Sequence, residues 1–272
     1  MSLTSKYANV RLDPRQTAER DLRIRRLGVR IPPGAPNSAC GVFPALTTLC
    51  CSTVGAPRTA ADWSSADLEH PVNNHDSQLV TEFSIRLPGW LRTELARLPG
   101  HIADRDDRIR IVNELAGRNI AEGTGGPFAA LVVERDSGKL LSAAVNLVPE
   151  VDLALAHAEM IALSLAQAHI GSWNLGADPA RAHSLVINAQ PCAMCLGALI
   201  WSGIGELEFA ASGADVERIT GFDEGPVPPD WREQLESRGI AVHAGRSAAE
   251  ALVVLQDFRA RVAEGSATLY NG

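Results

Sequence analysis

His157-Ala158-Glu159 and Pro191-Cys192-Ala193-Met194-Cys195 are the residues of this chain whose types and spacing could do chemistry together. One imidazole and two thiols make three soft ligands for a single Zn²⁺, and the carboxylate of Glu159 is left over. A structural zinc site closes all four positions with Cys or His, whereas a catalytic one keeps three protein ligands and an open place for water. Cys192 and Cys195 stand at i and i+3, so in a helix both sulfurs point the same way. Pro191 suits the entrance to such a helix, whose positive end favours the thiolate form that metals need. Two thiolates cancel the metal's charge, and the metal lowers the pKa of its water to give a bound hydroxide. Glu159 lies near the metal without being a ligand, so it can take the water's proton and pass it on to a ring nitrogen and a leaving amine. The reaction assembled is hydrolysis of an amidine-like C–NH₂ on a heteroaromatic ring.

Each motif alone is weak. A Cys-x-x-Cys pair also serves redox chemistry or half of a zinc ribbon. A ribbon needs a second pair, and Cys40 is isolated while Cys50-Cys51 has no ligand spacing. Met194, between the cysteines, reads as core filling.

The elements that must position these residues begin well inside the chain. Residues 1–78 carry a charge of +2 and the remainder −9, which together give the net −7. Arg20, Arg23, Arg25, Arg26 and Arg30 form a basic arm, read first as a solvated tail and second as a nucleic-acid or partner contact. The run breaks at Ile31-Pro-Pro-Gly-Ala-Pro36, and the Pro-, Ala-, Ser- and Thr-rich stretch that follows has no sustained period. Residues 1–78 are therefore expected to be a low-complexity, largely disordered extension, with the zinc domain over 79–272.

From about Thr81 the pattern becomes regular. Leu91, Leu95 and Leu98 space like a short helix, and Ile109, Val112, Leu115 and Ile120 like a second. Phe128–Glu134 and Leu140–Leu147 read as a hairpin around Asp136-Ser-Gly138. A helix is expected over Ala154–Ile170, a strand over Ser184–Ala189, a helix over Cys192–Ser202 and a strand over Glu206–Ala211. After a loop come helix Asp230–Arg238, strand Ile240–His243 and helix Ala248–Val262. Strands alternating with helices after a hairpin give an α/β fold: three α/β/α layers around a mixed five-stranded sheet.

Length, 46% hydrophobic content and three unassigned cysteines without a disulfide framework fit a soluble enzyme of the reducing cytoplasm. No apolar run is long enough for a membrane-spanning helix, and the opening residues lack a secretory h-region. The acidic balance argues against a broad nucleic-acid surface.

Over roughly residues 100–272 the chain resembles the cytidine-deaminase-like superfamily, and within it the bacterial guanine deaminase and nucleoside deaminase branch. The carrying segments are Gly125-Gly-Pro-Phe-Ala-Ala-Leu-Val-Val133, Ala-Val-Asn146, His157-Ala-Glu159-Met160, Pro191-Cys-Ala-Met-Cys-Leu-Gly-Ala-Leu-Ile-Trp201 and Gly221-Phe-Asp-Glu-Gly225. The resemblance implies one Zn²⁺ per subunit on His157, Cys192 and Cys195, with Glu159 as the proton shuttle. It implies substrate contacts from Asn146, Phe128 and Ala158, although Asn146 also reads as a turn residue and Phe128 as core. Asp215 stands where the branch often has a second acid, and reads equally as a helix cap. Phe258 and Tyr270 resemble an aromatic tail that closes the pocket, from the same subunit or its partner, which makes a homodimer the default. His169, His183 and His243 read as surface or core histidines, and Trp201 as packed core. Two departures bear on substrate choice: Ala129 where relatives carry Gly, and Gln190 where Glu is common. The implied function is zinc-dependent hydrolytic deamination of a nucleobase or nucleoside, guanine favoured, with no membrane partner and a small molecule expected rather than nucleic acid. The alternative is a tRNA-editing adenosine deaminase, which needs a basic groove along the phosphates; loss of all activity on deleting residues 1–78 would favour it.

Overall fold

Helix α1 (Gly89–Leu95) opens the regular structure, followed by α2 (Arg105–Ala121), and a computed structural model describes residues 79–178 and 180–271. The expectations placed on residues 1–78, the basic arm included, lie outside the described residues. Helix α2 starts where Asp104 accepts from the Asp106 and Asp107 N–H groups at 2.8 and 3.0 Å. Two of the four N–H groups that any helix start leaves without a partner are met in this way.

The chain then forms the hairpin β1 (Ala129–Glu134) and β2 (Leu140–Val145), the one-turn helix α3 (Val148–Val151), and α4 (Ala158–Ile170). Strand β3 (His183–Ala189) leads into α5 (Ala193–Ser202), and β4 (Glu206–Ala211) into α6 (Gly213–Thr220). Helix α7 (Trp231–Glu236), strand β5 (Ala241–Ala244) and helix α8 (Ala248–Ala263) complete the order. The five strands run β2-β1-β3-β4-β5. Strand β1 is antiparallel to both β2 and β3, whereas β3, β4 and β5 are parallel. This is the mixed sheet expected.

Helices α2 and α8 pack together over one face, and α4 with α5 covers the other. Buried on both faces, β1, β3 and β4 are apolar along most of their length, and Leu131, Val132, Leu185, Val186 and Leu207 exclude water completely. An exception lies on the α2 side of β4. Glu206 and Glu208, two residues apart and so on one face, meet Arg105 and Arg108 of α2. The Arg108–Glu208 pair is 2.8 Å apart with both side chains almost wholly buried.

Three expectations need correction. Helix α4 begins at Ala158, not Ala154, because His157 is extended (φ −68°, ψ 149°) and the preceding residues turn through α3 and a left-handed Asp152. Helix α6 falls where a loop was expected; Ser212 caps it by accepting from the Asp215 N–H. Trp201 is 80% exposed, because it lies on the outward side of α5.

Candidate active site

Two helix starts converge at the end of the sheet where β3 finishes. His157 is the N-cap residue of α4 and Cys192 that of α5, and no side chain caps either helix. Both positive helix ends are therefore aimed at the thiols. Cys195 sits one turn into α5 and is buried, as the i, i+3 spacing requires.

The Sγ atoms of Cys192 and Cys195 each lie 3.6 Å from His157 Nδ1, and all three ligand atoms fall within 4.8 Å of one another. Zn–S bonds of about 2.3 Å and a Zn–N bond of about 2.0–2.1 Å at tetrahedral angles require a sulfur–nitrogen edge of about 3.6 Å. The donor set thus fits zinc in type and spacing, with His157 binding through Nδ1. Without metal the Cys195 thiol donates to the Cys192 sulfur, and this hydrogen bond, helped by His157, holds the Cys192 thiol down to about 4. The Cys195 thiol is pushed up by the same bond and by burial. Burial opposes charge on the His157 imidazole, but Cys192, Glu159 and Glu224 outweigh it and raise its pKa.

Glu159 follows on the first turn of α4 and is 8% exposed. Burial, reinforced by the negative Cys192, raises its pKa, with His157 pulling the other way. A second carboxyl shares the site. Glu224, in the loop between α6 and α7, is pushed up to about 8 by burial and by the charges of Cys192 and Glu159. Its backbone carbonyl accepts from the Ala193 N–H at 2.9 Å, tying the loop to the start of α5.

Asp215, expected as a second acid, is engaged by its own helix. Its carboxylate accepts from Ser212 Oγ at 2.7 Å and pairs with Arg218, and these two bonds, that of Arg218 first, hold its pKa down. It lies in the first turn of α6 and supports the Ser212 cap. The sequence signal for Glu224 was present in Gly221-Phe-Asp-Glu-Gly225, a segment noted for its resemblance but not for the acid inside it.

The opposite wall holds the other expected residues. Asn146 follows β2 and is fully buried. Its Oδ1 accepts from the Val148 N–H at 3.2 Å and the Tyr270 hydroxyl at 2.7 Å, while Nδ2 is buried without a partner. Ala158 is buried beside Glu159. Phe128 is half-buried and tilted against Phe222 at 5.5 Å; Phe222 in turn stacks on Phe258 at 5.2 Å and meets Tyr270 at 4.8 Å. The aromatic tail therefore reaches its own chain's Asn146. Two glycines admit this packing. A Cβ on Gly125 would lie 1.9 Å from the Asn146 carbonyl oxygen, and one on Gly126 would lie 2.0 Å from the Tyr270 hydroxyl.

The segment between these glycines and β1 is clamped by two wholly buried asparagines. Asn188 of β3 donates to the Pro127 carbonyl at 2.8 Å and accepts from the Ala129 N–H at 2.9 Å. Asn119 of α2 donates to the Gly126 and Asn146 carbonyls at 2.9 and 2.8 Å. Gln190 accepts from the Gly213 N–H at 3.2 Å and so joins β3 to the start of α6. The histidines read as surface or core are distributed as expected. His183 is buried against the Leu175 carbonyl at 2.6 Å, and His169 lies in the last turn of α4. His243 approaches Glu206 at 3.1 Å across β4 and β5, a partner invisible to motif spacing.

A zinc site between two helix starts, at the end of this mixed sheet, defines a class of protein. Residues 104–211 match the family described as the cytidine and deoxycytidylate deaminase zinc-binding region. The chain is 31% identical to guanine deaminase of Bacillus subtilis over 126 residues, 46% of this chain and 76% of that one. It is 30% identical to a tRNA-specific adenosine deaminase of Streptococcus pyogenes over 133 residues, 48% of this chain and 70% of that one. Among solved structures it is similar to guanine deaminase from Nitrosomonas europaea, with 44% identity and a TM-score of 0.63, covering 67% of this chain and 99% of that one. The chain belongs to the cytidine-deaminase-like zinc deaminases and is a hydrolase acting on C–N bonds of cyclic amidines.

Proposed function

We propose that this enzyme deaminates a free purine base, guanine foremost, and releases ammonia. The observation that carries this reading is the enclosure of Asn146. Its Nδ2 is buried without a partner, so a bound ring offering a carbonyl or nitrogen lone pair would satisfy a group that otherwise costs about 1–3 kcal/mol. A substrate bearing ribose would have to displace Tyr270, which already occupies Oδ1.

When bound by His157, Cys192 and Cys195, zinc supplies Lewis-acid activation of water. Glu159 stands close enough to His157 and Cys192 to collect the proton released and deliver it to the ring. Glu224, whose pKa is pushed up first by burial, is placed to donate a proton towards the departing amine. Asp215 is not proposed for that role, since Arg218 and Ser212 engage its carboxylate. Phe128 and Phe222 offer a planar ring an aromatic wall, Ala158 closes the floor beside Glu159, and Tyr270 keeps bulk water from the reacting face.

The deciding experiment measures ammonia release by the zinc-loaded protein from guanine, cytosine, adenine and their nucleosides, with Glu159→Ala as control. Release from one free base, lost in the control, supports the reading. Release only from nucleosides or a tRNA anticodon arm overturns it.

A homodimer is proposed with it, formed through the outer surfaces of α4 and α5. Apart from Glu159 inside the site and His169 in its last turn, α4 carries no ionisable side chain, and α5 carries none but Cys195. Trp173 and Trp201 stand 75% and 80% exposed beside this surface. A two-fold axis sets a patch against its own copy, so any charge near the axis meets its like. A neutral surface with two exposed indoles suits a second copy of an otherwise acidic chain. A reducing, cytoplasmic setting, in which Cys192 and Cys195 stay thiols, completes the proposal; no helix among the described residues is long and apolar enough to cross a membrane.

A further inference from the structure

We propose that Asn119 is a positioning residue that aims the Asn146 carboxamide into the pocket, and that α1 holds it through Thr124 and Trp90. The inference rests on the reading of Asn146 as a base contact.

Asn119 is fully buried in the last turn of α2, and both polar atoms of its side chain are hydrogen-bonded. Its amide bridges the Gly126 and Asn146 carbonyls, thereby joining the loop before β1 to the residue after β2. The Asn146 N–H donates to the Phe128 carbonyl at 2.9 Å. The Asn146 backbone is thus gripped from both sides. Val148 and Tyr270 then take Oδ1, which leaves Nδ2 as the only free end of the group. Freedom at the Asn146 peptide would reach that Nδ2 directly, because no other side chain of the described residues bonds the carbonyl.

The amide of Asn119 is itself oriented. Its Oδ1 accepts from Thr124 Oγ1 at 2.6 Å, and that hydroxyl accepts from Trp90 Nε1 at 3.1 Å. This order fixes which end of Asn119 carries the NH₂ group, since a hydroxyl receiving the indole proton has its own to give. The Arg118 guanidinium covers the Trp90 ring at 5.0 Å and also binds Glu94 of α1. Helix α1 lies before residues 104–211, so a segment outside the matched family region is wired to the substrate wall.

The test is a double-mutant cycle on the zinc-loaded full chain with guanine as substrate. Asn119→Ala is expected to lower kcat/KM by about 10- to 100-fold, mainly through KM, with zinc content retained. Asn146→Ala should do at least as much, and the double variant no worse than Asn146→Ala alone, since Asn119 acts only through it. Thr124→Val, milder for folding, should give a KM-weighted loss of about 3- to 10-fold. Fully additive losses, or an unchanged KM in folded Asn119→Ala and Thr124→Val, would overturn the proposal. An unchanged KM in Asn146→Ala would instead remove the base contact, and the positioning role with it.

Discussion

Replacing Arg108 by Met tests whether the buried charge network on the α2 face holds the sheet without touching the chemistry. Arg108 is 2% exposed and donates to Glu208 at 2.8 Å, to the Ile102 carbonyl at 2.7 Å and to the Arg135 carbonyl at 3.2 Å. Methionine fills much of the volume but leaves Glu208, 1% exposed, facing only Arg105 at 4.0 Å. One Glu208 oxygen already has no hydrogen-bond partner. Removing one member of a buried pair costs about 3–5 kcal/mol. An unfolding entropy of about 2.1 cal/mol/K per residue gives roughly 0.4 kcal/mol/K for this domain, so Tm should fall by about 10 °C. Burial already raises the Glu208 pKa, against the pull of Arg108, and losing Arg108 raises it further. A carboxyl whose folded pKa exceeds its unfolded one favours the fold below the unfolded value of about 4.3 and loses that contribution as pH rises through the folded pKa. The deficit of Arg108→Met should therefore be largest at neutral pH and shrink on acidification. Urea melts from pH 4 to 8, with Arg108→Met/Glu208→Leu alongside, provide the assay. A loss under 1 kcal/mol, or a double variant no more stable than Arg108→Met, would refute the reasoning. Zinc affinity should not change, because the network lies at the start of β4 and the thiols follow the far end of β3.

Four shorter predictions concern the site and its surface. Glu159→Ala should keep stoichiometric zinc and lose about 10²- to 10⁴-fold in kcat, read by metal analysis beside ammonia release. Cys192→Ala should lose the metal, and its melting temperature should stop responding to added zinc, because metal affinity and folding are coupled. Glu224→Gln should cost far more activity than Asp215→Asn, which should also lose its pairing with Arg218 and a few tenths of a kcal/mol of stability; comparable activity losses would restore Asp215 as the second acid. Trp201→Glu should shift sedimentation from dimer towards monomer, and an unchanged profile would exclude the α4–α5 face.

What the sequence disclosed follows the range of each interaction. The zinc ligands were legible because Cys192 and Cys195 are one helical turn apart and His157 stands next to its acid. The five strands were legible because β1, β3 and β4 are short apolar runs bounded by turn residues. Glu224 was not, since its pKa is set by burial and then by Cys192 and Glu159, all of which only the fold supplies. Asp215 carried two readings for the converse reason: an acid three residues after Ser212 also satisfies a helix start, and α6 was not foreseen. Arg108 and Glu208 are hydrophilic letters in apolar contexts, and nothing local announces that each is the other's partner, 100 residues away. Trp201 belongs to an apolar helix, and its outward direction depends on which side of α5 meets the sheet.

Gly126 and Tyr270 are separated by most of the domain, yet they share one small volume. In the descent of this chain they form a single inherited character. A side chain at position 126 would push the Tyr270 hydroxyl from its place, so the tail's hold on Asn146 depends on a bare loop. The two positions should therefore change together or not at all among its descendants.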